Sequence, residues 1–94
     1  MLYVAVHTHP ASQCPLNSAE GKAMIKQLFS DANVKRGNVK IDDAYMSCPK
    51  ETRADHKGFF VVEAANPAVV TSFFGPMTVE VREVLPFSEV AKML

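Results

Sequence analysis

The stretch "FFVVEAANPAVVTSFFGPMTVEV", residues 59–81, contains a strand, a helix and a second strand with their boundaries marked. "FFVVEA" at 59–64 is dense in β-branched and aromatic residues on both alternating faces, as in a strand covered on both sides. Asn66-Pro67 opens a helix. The asparagine oxygen can accept from a first-turn N–H, and proline suits the first helical position, where its missing N–H would have no partner. Val69, Val70, Phe73 and Phe74 form the apolar stripe of that helix, and Gly75-Pro76 ends it. In "MTVEVREVL" Val79 and Val81 alternate with Glu80 and Arg82, the pattern of a strand with one buried face.

The same reading extends outward to both ends. "LYVAVH" (2–7) is a short strand with Leu2, Val4 and Val6 on one face and Tyr3, Ala5 and His7 on the other. "HPASQCPL" is a loop. "NSAEGKAMIKQLFSDA" (17–32) reads as one helix, with Asn17 as N-cap, Glu20 closing a capping box, and Met24, Ile25, Leu28, Phe29 and Ala32 on the apolar stripe. "KRGN" (35–38) is a turn in which Gly37 can take positive φ. "VKIDDAYMSC" starts as an alternating strand, and "PKETRADHKG" is a solvated loop leading to the strand at 59. "PFSEVAKML" is a short terminal helix with Ser88 as a candidate cap. The order is βαββαβ plus a tail, the ferredoxin-like α+β pattern, in a single domain over residues 1–94. It predicts a four-stranded antiparallel sheet in the order 4-1-3-2 with both helices on one face. The doubly apolar strand at 59–64 then requires a cover for the other face, and a second copy of the sheet supplies it.

"MLYVAVH" at the start and "FFGPMTVEVREVLPF" near the end resemble the dimeric α/β-barrel superfamily. The second stretch is similar to the last helix and strand of muconolactone-isomerase-like proteins and of a related small uncharacterised family. The resemblance implies a homodimer whose sheets face each other around a small-molecule pocket. It implies no particular reaction, because that superfamily hosts isomerases, monooxygenases, haem-binding enzymes and ligand-sensing domains.

Charge narrows the partners. Ten basic residues balance ten acidic ones in 94, so no basic excess points to nucleic acid or to a membrane surface. No stretch approaches the roughly 18 apolar residues of a membrane span, and "MLYVAVHTHP" lacks the basic segment and long apolar core of a signal peptide. The expectation is a cytoplasmic protein whose two cysteines are thiols or ligands.

The chemistry-bearing residues gather through topology. With the first and second strands parallel, His7, His9 and Cys14 follow the first, Cys48 and Pro49 end the second, and His56 precedes the third. All three histidines and both cysteines fall at one end of the sheet. If Leu2, Val4 and Val6 pack on the helices, Tyr3, Ala5 and His7 face the intersubunit pocket, together with Thr78, Glu80 and Arg82. Uninterrupted alternation from Val39 and Ile41 adds Met46 and Cys48 to that face, and one β-bulge reverses this last placement.

Four chemistries fit these residues. The leading reading is metal binding, extending to metal-dependent chemistry on a small molecule: histidine nitrogen and cysteine thiolate suit zinc, copper or iron, with His7, His9 and Cys14 as first ligands and Cys48 and His56 as further candidates. Two Cys-Pro pairs, Cys14-Pro15 and Cys48-Pro49, suit thiolate-ligated haem, with Tyr3, Cys48 and Arg82 as cofactor contacts. A metal-free isomerase or monooxygenase would use His7 as general base, with Glu80 assisting on a small organic molecule. Cys14 and Cys48 could also form a reversible disulfide.

Overall fold

In a computed structural model that describes residues 1–48 and 50–94, the chain forms an α+β structure around one four-stranded antiparallel sheet. The strands are β1 (Leu2–His9), β2 (Lys40–Met46), β3 (His56–Glu63) and β4 (Val79–Glu83). The helices are α1 (Ala19–Leu28), α2 (Asp31–Arg36), α3 (Pro67–Phe74) and α4 (Phe87–Ala91). The sheet order is β2-β3-β1-β4, which read from the β4 edge is 4-1-3-2.

Helix α3 matches its sequence signals. The Asn66 side chain accepts the Val69 N–H at 3.1 Å, and Gly75 leaves the helix at φ 58°, where a side chain is disfavoured. The long helix expected at 17–32 is two helices instead. Ser18, not Asn17, caps α1 by accepting the Gly21 N–H, while Asn17 donates to the Ala11 carbonyl. Ser30 ends the run by capping α2 through the Asn33 N–H. Residues 35–36 continue α2, and the positive φ of the following turn falls on Asn38 rather than Gly37. Pro86, not Ser88, occupies the cap position of α4. Strand β3 begins at His56, inside the segment expected as loop.

The core corrects the expected facing of β1. Tyr3 and Ala5 are buried with Val39, Phe60, Val62, Val70, Phe73 and Phe74 on the helix-covered face. Ala5 stands opposite Phe60 in the ladder, and its small side chain leaves room for that ring. Phe60 stacks on Phe29 at 5.3 Å and meets Phe74 at 4.9 Å between centroids. Val79 and Val81 pack on the same core, as expected, and sit opposite His7 and Ala5. Leu2, Val4 and Val6 therefore line the opposite, uncovered face, together with Phe59 and Val61.

Strand β2 contains the bulge that reverses alternation. Ile41 pairs with Val62 and Asp43 with Val61, so Asp42 is the extra residue. Ile41, Ala44 and Met46 consequently share the covered face, opposite Val62, Phe60 and Gly58. No helix among the described residues is long and apolar enough to cross a membrane.

Candidate metal centre

Strand parity places two histidines in register. On β1 the odd-numbered residues face the helices, and on β3 the even-numbered ones do. His9 and His56 are directly paired across the ladder, and both belong to the covered side. Their rings lie 5.2 Å apart, edge to face, and the His7 ring lies 5.1 Å from that of His9.

Two wound segments bring in the cysteines. After Pro10 the chain makes two successive 3-10 turns, Ala11–Gln13 and Pro15–Asn17, with Cys14 between them. The Asn17 N–H donates back to the Cys14 carbonyl at 2.9 Å, closing the second turn. Helix α1 packs tightly on that turn. A Cβ at Gly21 would fall 2.1 Å from the Pro15 carbonyl oxygen, so only glycine permits this approach. At the end of β2, the Ser47 N–H donates to the Lys57 carbonyl at 2.9 Å, and the Ser47 hydroxyl accepts the Lys57 N–H at 2.8 Å. That staple presents Cys48 beside the start of β3.

The result is a compact donor set. The ligand atoms of His9, Cys14, Cys48 and His56 all lie within 4.8 Å of one another, with Cys14 and His56 buried and the other two half-buried. Cys14 Sγ is 3.6 Å from Cys48 Sγ, His9 Nε2 is 3.5 Å from Cys48 Sγ, and His56 Nδ1 is 2.9 Å from it. For a zinc ion with Zn–S about 2.3 Å and Zn–N about 2.0 Å, tetrahedral edges run about 3.8 Å between sulfurs and about 3.5 Å between sulfur and nitrogen. Two of the three measured edges are already near those values. The Cys48–His56 contact is a short hydrogen bond that must lengthen by about 0.6 Å to admit such an ion.

The surroundings favour this use of the histidines. His56 donates Nε2–H to the Glu51 carbonyl at 2.6 Å, which leaves the Nδ1 lone pair aimed at the sulfurs. The Glu51 carboxylate holds that carbonyl in place by accepting the Arg53 and Ala54 N–H groups. His9 Nδ1 is buried without a hydrogen-bond partner among the described residues. An ion held by the other ring nitrogen would fix the proton on Nδ1. Burial, then the neighbouring rings of His7 and His56, hold the His9 pKa below the ordinary imidazole value. Burial, then the hydrogen bond with Cys14, push the Cys48 thiol up to about 11. Without an ion the Cys48 thiol therefore keeps its proton at neutral pH and burial favours the neutral His9 ring, and a cation would draw the thiol proton away.

The remaining sequence candidates lie elsewhere. His7 donates its Nδ1–H to the Thr78 carbonyl at 2.8 Å and stands beside the four-donor set, not in it. Tyr3 is a core residue, 1% exposed, with its hydroxyl against the Met1 sulfur, so it faces no pocket. Glu80 and Arg82 are on the uncovered face opposite Val6 and Val4, where they pair with each other. The expected cluster of His7 with Glu80 and Arg82 is thus divided between the two sheet faces. Pro49, on which the second Cys-Pro pair depends, lies outside the described residues. His9, Cys14 and Cys48 also line, with Phe29, Met46 and Phe60, a cavity of about 40 Å³, far below the size of a porphyrin.

Neither protein-family models nor curated proteins nor solved structures yield a match. The donor geometry is therefore the whole basis for a functional reading. Ser47, Glu51 and Gly21 support the site and were not apparent from the sequence. Ser47 and Glu51 act through side-chain oxygens on nearby backbone N–H groups and Gly21 through its missing side chain, roles for which sequence spacing provides no signal.

Proposed function

We propose that this chain is a metal-binding protein holding one transition-metal ion, zinc foremost, on His9, Cys14, Cys48 and His56. The observation that carries the reading is the convergence of four donors from three segments, with the His56 tautomer set by the Glu51 carbonyl. Two thiolates and two imidazoles form a ligand set that suits zinc, and four protein donors complete a tetrahedral shell. Such a shell favours holding the ion over activating a water, so the metal's role is to retain structure or to be carried. Copper(I) and iron also accept thiolate and imidazole.

The fold reading is ferredoxin-like, and the working form is a homodimer of the α/β-barrel kind. Its support is the uncovered sheet face, where Val4, Val6, Phe59, Val61 and Tyr45 expose a contiguous apolar surface. A pocket between two such sheets would take a small organic ligand. The metal centres would sit on the opposite faces, under the loops that carry Cys14 and Cys48.

The test is elemental analysis of untagged protein. The expected result is near-stoichiometric metal that Cys14→Ala or His56→Ala removes while the circular dichroism spectrum is retained. A metal-free preparation that resists reloading overturns the metal reading. A stable monomer in light scattering overturns the dimer.

A further inference from the structure

We propose that Cys14 and Cys48 form a thiol–disulfide redox couple whose oxidised state cannot hold the ion, so that hydroperoxides discharge the metal. The proposal rests on the metal reading for its consequence, and on the cysteine geometry alone for its chemistry. The two sulfurs are 3.6 Å apart with nothing between them, and both cysteines are free thiols. Forming a bond of about 2.05 Å requires the sulfurs to close by about 1.5 Å.

The positions of the two residues suit that movement. Cys14 lies between two single 3-10 turns, and Cys48 follows the end of β2, so neither is locked inside a helix or a strand ladder. The pair joins segments 34 residues apart in sequence, and closing such a loop restrains the unfolded chain. Access is also present. A surface cleft between Ala11–Asn17 and Glu51–Thr52 reaches Cys14 and His56, and Cys48 is itself half-exposed.

The chemistry balances with a hydroperoxide as oxidant. One cysteine sulfur attacks the terminal peroxide oxygen, breaking the O–O bond, forming a sulfenic acid and releasing an alcohol, or water when the oxidant is hydrogen peroxide. The other sulfur then attacks the sulfenic sulfur, forming the disulfide and releasing water. Two electrons pass from the thiols to the peroxide. From the metal-bound state, two protons from solvent complete the products and the divalent ion leaves. Both thiolate donors are consumed by the S–S bond, so His9 and His56 remain as the only donors of the set. A dithiol reductant reverses the step and restores the site.

The experiment treats zinc-loaded and metal-free protein with hydrogen peroxide near stoichiometry, in parallel. Three signals are read: free thiols, intact mass with non-reducing peptide mapping, and zinc released to a chromogenic chelator. The expected result in both samples is loss of both thiols and of two hydrogens in mass, with one peptide cross-link joining Cys14 to Cys48. In the loaded sample one zinc ion appears per disulfide, and dithiothreitol followed by zinc restores binding. Cys14→Ser and Cys48→Ser each abolish the cross-link. Peptide mapping of the unsubstituted chain decides the matter independently of either variant's folding. Disulfides between chains, sulfinic acid on one cysteine with the other left as thiol, or a disulfide formed with zinc retained would each overturn the proposal. If zinc never binds but the cross-link forms, the metal reading fails and the redox couple stands. If zinc binds and no cross-link forms, the reverse holds.

Discussion

The two ends of the covered sheet face are built on different physics. At one end Phe60, Val62, Val70, Phe73 and Phe74 are buried against Tyr3 and Ala5, and α3 contributes three of those residues. At the other end His9, Cys14, Cys48 and His56 meet under a wound loop, and α1, which braces that loop, buries no residue fully. Apolar burial holds the first end whatever the solution contains. The second end brings four polar donors together, so an ion bound by the folded chain and not by the unfolded one would add to its stability.

The largest expected effect tests the apolar end. Phe74→Ala removes a fully buried ring and is expected to cost about 3–5 kcal/mol, equally with and without zinc. Denaturant midpoints measured in both states check this. A cost confined to the zinc-bound form would show that the ends are not independent.

Metal removal tests the polar end. Zinc at a hundred times its dissociation constant is expected to add about 2.7 kcal/mol of stability, which a strong chelator reverses. Thermal unfolding followed by circular dichroism reads the difference, and Cys14→Ser should erase it. Gly21→Ala tests the brace. Its Cβ would meet the Pro15 backbone, so an overpacking cost of about 1–3 kcal/mol is expected, with weakened zinc affinity although no donor is altered. Unchanged affinity in that variant would separate α1 from the site.

Acidity gives a smaller, graded effect. Metal binding must displace thiol protons, so zinc affinity is expected to fall as the pH falls, and an isothermal titration in two buffers would report the protons released. The metal-free protein has its own dependence. His9 titrates below the ordinary imidazole value when folded, so the unfolded chain binds the proton first. Stability is then full above the ordinary imidazole pKa and declines as the pH drops through the lowered one. The smallest effect belongs to the uncovered face. Glu80→Gln is expected to change stability by less than about 0.5 kcal/mol and zinc affinity not at all, because its pair with Arg82 is solvent-exposed.

Some of this architecture was legible beforehand and some was not. Asn66, Pro67 and Gly75 delimit α3 because each meets a backbone requirement that few residues satisfy. The gathering of histidines and cysteines at one end follows from strand order alone, and the structure places four of the five in contact distance. The sequence does not show which side of β1 faces the helices. Val4 and Val6 are as apolar as Tyr3 and Ala5, and hydrophobicity does not choose between them. The choice belongs to shape, since Ala5 accommodates the Phe60 ring across the ladder and Val6 stands opposite Phe59 on the uncovered side.

The sequence by itself determined the four strands with helical segments between them, the boundaries of α3 and the pool of candidate ligands, because caps, breakers and alternation act within a few residues. Tertiary structure alone decided which face each side chain uses and which donors meet. One extra residue at Asp42 turns Met46 to the covered side, and the small profiles of Ala5 and Gly21 admit a ring and a turn distant in sequence. Those outcomes depend on steric fit between segments far apart in the chain, where local pattern carries no information.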